Sequence, residues 1–505
     1  VKKIIRPQAG HVLDLDPMEL ADGVLTRLHN MHTRKRFPTR IGGRRIAYPV
    51  SGGGLPIDPM RLMNLQLNTF NWWMIFGNTA IYAVESANDY DISLSGQTPS
   101  DQPYEWSSTL LNGIPVFTNG KDGLMFWTGN GGDAADIVPD WPAGTVCKGV
   151  VAFRYHLFAF NIDGPSGTFD NQILWSDAAE PGALPASWTP ASSNEAGDAI
   201  LADTPGRIIA GLPLGAQLMM YKQESMFAVE YVGGNNKYEP RPIVRSLGAL
   251  GPNCVIDYGQ QHLVLGNDDV CLVDGINAKS IAEERIKLAI ASTIDETYAA
   301  NSFIVRDLNR REVRICIPES GSQYPTIAHI WDERRDAWHT ESLTEARCGA
   351  RGFVTDDVID DTWDADTGTW DSDFSVWNAG STGSIARVVI GEADVMYVEG
   401  TDDTVTVTAS LAKQDLTFDD AQQRKLTSRI WIYGSGDGFS DLTVRLGARN
   451  STNENIAWGD FRPIADDGVP YEVCGRLISF EAQATTDAPF TIDRIEIEAE
   501  HHGGF

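Results

Sequence analysis

The sequence predicts an all-β protein: an irregular β-propeller of about seven blades followed by a C-terminal β-sandwich-like domain. Three observations predict it. A short apolar run, a turn and a second apolar run recur seven times. The 505 residues carry 48 glycines and 25 prolines, which suit short strands joined by tight turns better than a helical bundle. The last hundred residues switch from continuous apolar runs to strict alternation.

The seven hairpins pair 72–76 with 81–84, 114–117 with 124–127, 155–160 with 173–175, 218–221 with 226–229, 262–265 with 270–273, 313–317 with 327–331, and 386–390 with 395–398. Anchors at Trp73, Phe117, Leu157, Leu218, Val264, Ile315 and Val388 are spaced by 44, 40, 61, 46, 51 and 73 residues. An all-β repeat of about 40–50 residues marks a propeller, because each small sheet must cover its faces against neighbours around an axis. The runs are apolar at consecutive positions, as expected for strands covered on both faces. The uneven spacings imply insertions within blades.

This reading divides the chain into a basic N-terminal arm at 1–50, the propeller at 51–401 and the sandwich at 402–505. One helix is predicted near 283–300, from apolar positions 286, 289, 290 and 294. An acidic insertion is predicted near 355–380, where eight aspartates between 356 and 373 are interleaved with Trp363, Trp370 and Trp377. Beyond it, alternating runs such as 477–482 and 490–498 read as half-exposed antiparallel strands.

The composition is that of a globular protein, 42% hydrophobic and 22% charged. A net charge of −29 argues against a protein that wraps nucleic acid through phosphate contacts. The charge is unevenly placed: residues 1–48 carry a net +6 and the remainder −35. A basic arm on an acidic body predicts that the arm docks on something acidic, such as a neighbouring copy. The six cysteines are never closer than 17 positions, so metal-ribbon spacing is absent and buried reduced thiols are expected. No apolar run approaches 18 residues, so no membrane span is expected. No signal-peptide core follows Lys2 and Lys3, and synthesis in a reducing cytoplasm is the expectation.

Catalytic and cofactor fingerprints are missing: no HExxH, no phosphate-binding GxxxxGK[ST], no GxSxG. The expectation is therefore no catalytic residue, no cofactor and no metal. His29 and His32 are three apart and would share a face only on a helix. Asp364-Ala365-Asp366-Thr367-Gly368 starts like a calcium loop but has Ser375 where the bidentate acid belongs. The overlapping Asp366-Thr367-Gly368-Thr369-Trp370 is one residue short of a sialidase Asp-box turn. An acidic surface loop, a weak divalent-ion site and catalysis all stay open there. Arg34, Lys35, Arg36, Arg44 and Arg45, with Arg40, form the one basic cluster. It reads as a solvated loop, as a docking surface for an acidic partner, or as a DNA contact.

The order of several phrases resembles the tail nozzle, or tail hub, proteins of short-tailed bacteriophages. These are Gly10-His11-Val12-Leu13-Asp14-Leu15-Asp16-Pro17-Met18-Glu19-Leu20, Asn119-Gly120-Lys121-Asp122-Gly123 and Trp141-Pro142-Ala143-Gly144. Further along come Leu174-Trp175-Ser176-Asp177-Ala178-Ala179-Glu180-Pro181-Gly182, Leu214 to Lys222, Glu230-Tyr231-Val232-Gly233-Gly234, Asp268 to Gly275 and Gly475 to Phe480. The likeness runs from about residue 10 to 500. It implies a virion structural protein of the tail, assembled in the host cytoplasm. It implies a homo-hexamer below the head-to-tail adaptor, carrying tail fibre, spike or needle proteins, with genomic DNA passing through without specific binding. An acidic wall would suit such a conduit, since it repels phosphates within about 8 Å at physiological salt. The alternative expectation is a propeller glycan-binding protein or a sialidase-like glycosidase.

Overall fold

The computed structural model describes the chain except residues 35, 49–53, 68–69, 86–87, 235, 356–383, 402–405, 419 and 503–505. Seven four-stranded antiparallel units follow one another: blade 1 at 59–91, blade 2 at 107–137, blade 3 at 146–200, blade 4 at 208–244, blade 5 at 255–280, blade 6 at 303–342 and blade 7 from 348 to 401. Each hairpin predicted from sequence is the middle pair of strands of one blade.

The consecutive apolar positions have a simple cause. Alternate residues of a middle strand enter two different seams. In Phe70–Gly77, Trp72, Met74 and Phe76 pack toward blade 2, whereas Trp73 and Ile75 pack toward blade 7. In Gln217–Lys222, Leu218 and Met220 join the seam with blade 3, and Met219 and Tyr221 the seam with blade 5. Seven apolar seams result, one between each pair of neighbours, and the ring closes where Trp73 and Ile75 meet Val389, Met396 and Val398. The carbonyl of Phe353 in blade 7 seals that joint by accepting hydrogen bonds from Asn71 Nδ2 and Trp73 Nε1 of blade 1, both 2.9 Å.

The N-terminal segment is woven into the fold rather than hanging from it. Gly43–Tyr48 is the outermost strand of blade 7, paired antiparallel with Val395–Thr401. The chain's start thus completes its last blade. Lys2–Ile5 pairs with Thr491–His502 of the sandwich. Arg27–His29 lies between Ala337–Ser342 of blade 6, parallel, and Val407–Leu416 of the sandwich, antiparallel. It therefore joins the two domains into one ten-stranded sheet. Gly10 shows how closely this segment is laid down: its φ is +70°, and a Cβ there would stand 2.6 Å from the Trp338 carbonyl oxygen.

The sandwich has two sheets. One is built on Val407–Leu416, Thr443–Arg449 and Leu477–Thr486, the other on Arg424–Ser435, Val469–Gly475 and Thr491–His502. Leu411, Val444, Leu446 and Phe480 of the first meet Ile430, Ile432, Ile495 and Ile497 of the second. Ile5, Leu25, Leu28 and Met31 of the N-terminal segment fill the same core.

The helix is shorter than its pattern suggested. It spans Lys287–Thr293, with a separate 3-10 turn at Ala299–Asn301. Glu284 has a left-handed backbone, φ 58°, which keeps the helix from starting there, and Ile294 is already extended and bridged to Glu319. Its exposed amides are capped from far away in sequence: the Asp14 carboxylate accepts from Leu288 N at 2.9 Å and Ala289 N at 3.0 Å. The acidic insertion, with its calcium-like and Asp-box-like turns, lies outside the described residues, apart from Thr355 at its start.

Candidate functional site

Two places were marked by the sequence: a propeller axis, where ligands of such folds would enter, and the basic cluster of the N-terminal segment. The axis is lined by the innermost strand of each blade and holds two cavities, of about 570 and 240 Å³. Arg61, on Pro59–Leu67 of blade 1, lines both. Its Nε donates to Ser108 Oγ of blade 2 at 2.8 Å, and its Nη1 to Asn253 Oδ1 at 2.5 Å, beside the inner strand of blade 5. Blades 1 and 5 are three steps apart around a ring of seven, so Arg61 is a strut across the channel. Burial pushes its guanidinium down to about 10, which leaves it charged at neutral pH.

A second tie runs beside it. The linker from blade 1 to blade 2 carries the 3-10 turn Pro103–Glu105. Asn301 Nδ2, ahead of blade 6, donates to Gln102 Oε1 at 3.2 Å. The axis is thus crossed by side chains. A duplex whose major groove alone is about 12 Å wide does not fit through it.

The charged groups lining the two cavities are Arg61, Lys148, Arg306, Arg351 and a single acid, Asp257. Among the described residues, the linings of these two cavities do not carry the acidic excess of the chain. Arg306 is held by Glu333 through two bonds, 2.6 and 2.9 Å, and lies over the Tyr258 ring at 3.9 Å. Lys148 Nζ donates to the Gly120 carbonyl at 2.5 Å. A carboxylate pair of the kind that glycoside hydrolysis uses is not among these lining residues. Among the described residues, no group of three or more His, Cys, Asp or Glu is arranged to hold a metal ion.

Arg61→Met removes the strut and leaves Asn253 Oδ1 short of its donor. The expected cost is about 1–3 kcal/mol, read as a lowered urea midpoint. An unchanged midpoint would mean that the cross-channel bonds contribute nothing to the ring.

The basic cluster is drawn into the chain itself. Arg34 Nε lies 2.8 Å from a carboxylate oxygen of Glu312, which is fully buried in blade 6. Arg44 reaches Glu392 at 2.5 Å and donates to the Ser342 carbonyl at 2.8 Å. Arg45 is paired through its backbone with Val398 in blade 7. Arg36 is exposed, lies 5.5 Å from the Phe37 ring and donates to Gln8 Oε1 at 3.4 Å. Lys35 lies outside the described residues. Arg40 is buried, donating to the carbonyls of Thr486 at 3.0 Å and Ile41 at 2.9 Å. The +6 balance of the segment thus answers, in part, acids of the chain's own blades.

Sequence reasoning missed a concentrated set of ionisable groups. His11, His29 and His32 of the N-terminal segment meet His329 and His339 of blade 6, next to the buried pair Arg314–Glu341 at 2.6 Å. Five of the nine histidines of the chain gather there. Some 300 residues separate the two groups, and no local spacing encodes the meeting.

No family model matches the chain, and no curated protein matches it. Several solved structures are similar to it at low identity, two of them β-propeller domains. The WD40 β-propeller domain of Doa1 is 9% identical, with a TM-score of 0.37 over 71% of this chain and 97% of that one. The β-propeller domain of Cps50 (Swd1) from Myceliophteria thermophila is 10% identical, with a TM-score of 0.38 over 71% and 100%. PorZ, a surface component of the type-IX secretion system of Porphyromonas gingivalis, is 10% identical, with a TM-score of 0.36 over 72% of this chain. The match spans 43% of the PorZ chain. The assignment of a propeller here rests on the strand pairing and the seven closed seams.

Proposed function

We propose that this protein is a structural subunit of the tail nozzle, or tail hub, of a short-tailed bacteriophage. It is assembled in the host cytoplasm as a homo-hexamer below the head-to-tail adaptor, and it carries fibre, spike or needle proteins. The observation that carries the reading is the ordered series of nozzle-like phrases between residues 10 and 500.

Several of these phrases sit at joints between blades, where an assembly subunit needs rigidity. In Asn119-Gly120-Lys121-Asp122-Gly123, the Asp122 carboxylate accepts from Thr98 N at 2.8 Å and Thr98 Oγ1 at 2.7 Å, while Lys121 Nζ donates to the Pro99 carbonyl at 2.8 Å. In the phrase from Leu174, the Glu180 carbonyl accepts from Asn112 Nδ2 of blade 2 at 3.0 Å. The crossed axis also bears on the reading. DNA would travel between copies, along a channel that several subunits form together, and the subunit would take no catalytic part. Among the described members of the basic cluster, Arg36 is the one that stands exposed for an adaptor or a neighbouring copy.

Native mass measurement on purified tails tests the proposal, with light scattering on the isolated chain beside it. Six copies per tail are expected, related by head-to-tail contacts that close. A single copy or a dimer within the tail ends the hexameric nozzle reading.

A further inference from the structure

The joint between propeller and sandwich is made by one short strand, Arg27–His29, and by the segments on either side of it. On the blade 6 side the strand is held by a single parallel backbone pair, His29 with Thr340. Side chains do the rest. His29 Nδ1 lies 3.0 Å from Thr340 Oγ1, and its Nε2 lies 2.9 Å from Ser342 Oγ. The Leu28 amide donates to His11 Nδ1 at 3.1 Å, so that ring must present an unprotonated nitrogen. The bond fixes the neutral form of His11.

The two faces of blade 6 carry different halves of the cluster. Strand pairing places Ile315, His329 and Thr340 on one face, and Arg314, Ile330 and His339 on the other, with Glu341 on the latter. His11 and His29 cover the first face. Both ring nitrogens of His329 are buried there without a hydrogen bond. The second face adds His32, Arg34 and Arg310 beside Glu312, Asp307 and Glu341. The acids on it are already taken: Glu341 by Arg314 at 2.6 Å, Glu312 by Arg34 at 2.8 Å, and Asp307 by Arg310 at 3.6 Å. Toward the sandwich, Arg27 and Arg445 share Glu481. Glu341 and Glu319 are the acids that act on His29.

We propose that this histidine cluster is an acid-sensitive latch, which releases the sandwich and the N-terminal segment from blade 6 while the other blades stay folded. New positive charge on His11, His32 or His329 would meet guanidinium groups, and the nearby carboxylates Glu341, Glu312 and Asp307 already carry arginine partners. Burial, reinforced by neighbouring histidines, lowers His11 well below its ordinary value; burial, then Arg34, does the same for His32; and burial brings His329 down to about 4. A histidine held neutral in the fold and free to charge once released stabilises the closed joint above about pH 6.5. That contribution is lost as pH falls toward the folded value. For His329 alone the window runs from about 6.5 to about 4, a span that corresponds to more than a hundredfold in the opening equilibrium.

Hydrogen exchange on the full chain, corrected for intrinsic rates, tests the latch at pH 7.5 and pH 5.0. At pH 5.0 the amides of 25–32 and 338–342 should open at least tenfold more readily, with the middle strands of blades 2–4 unchanged. His329→Phe should shift this opening to lower pH. Proton resonance titration of the wild-type histidines serves as the second measurement, so the idea does not depend on that variant folding. Equal acid sensitivity in all blades would overturn the proposal, as would an unchanged joint. Histidines 11, 32 and 329 titrating near 6.5 in the closed protein would do the same.

Discussion

A chain that lacks residues 1–48 will not fold cooperatively. The segment removed carries Ile5, Leu25, Leu28 and Met31, all essentially inaccessible in the sandwich core. At about 1.5–3 kcal/mol per large apolar side chain, that burial stabilises the protein by roughly 6–12 kcal/mol. The whole stability of a domain is only about 5–15 kcal/mol. The loss reaches further than the sandwich. Blade 7 would end at Val395–Thr401 with an unpaired edge, and Tyr48 would leave the seam that closes the ring. The Glu312 and Glu392 carboxylates would stay in place without Arg34 and Arg44. Urea unfolding followed by circular dichroism should give a broad, low transition, and the protein should aggregate through its open edges. A sharp transition at the full-length midpoint would show that the segment is dispensable, and the weave described above would then carry no energy.

The seven-blade pattern was legible because middle strands are covered on both sides. Trp72 to Phe76 and Leu218 to Tyr221 are apolar at every position for that reason, and the periodicity of such a strand cannot be mistaken for a surface one. The outer strands were not legible. Asn88–Asp91 and Ala278–Ser280 are polar and largely exposed, with nothing but backbone pairing to mark them as strands. The helix was overextended by its apolar positions, since periodicity does not report that Glu284 turns left-handed. Charge was legible as an imbalance but not as a geometry. The excess of cations in residues 1–48 was visible, and docking on an acidic partner was a reasonable expectation for it. The acids that Arg34 and Arg44 meet are Glu312 and Glu392, some 280 and 350 residues away on the same chain. Long-range pairing of this kind leaves no trace in composition. The same holds for Arg61: nothing in Met60-Arg61-Leu62 announces a guanidinium that crosses the axis to Asn253.

Glu341→Gln should cost about 3–5 kcal/mol. Arg314 and Glu341 are each 2% exposed in their side chains, and Arg314 is among the largest fully buried side chains of the protein. Burial alone would raise the Glu341 carboxyl. The Arg314 guanidinium, aided by His339, outweighs it and holds the carboxyl well below its ordinary value. An amide cannot answer that guanidinium, so the substitution leaves a buried charge uncompensated beside Arg34 and Arg310. Replacing both partners, with Arg314→Met and Glu341→Leu, removes the charge as well as its counter-charge and should recover most of the loss, because well-packed apolar groups carry no desolvation cost. The pH dependence separates this pair from the histidines. A carboxyl depressed in the fold stabilises it fully above about pH 4.5 and gives that up only as pH falls further, whereas the histidine contribution starts to fade near pH 6.5. Wild type should therefore keep its advantage over Glu341→Gln from pH 7.5 to 5 in urea titrations. If the single and the double variants are equally unstable, the cost lies in lost packing at this position and not in the stranded charge of Arg314.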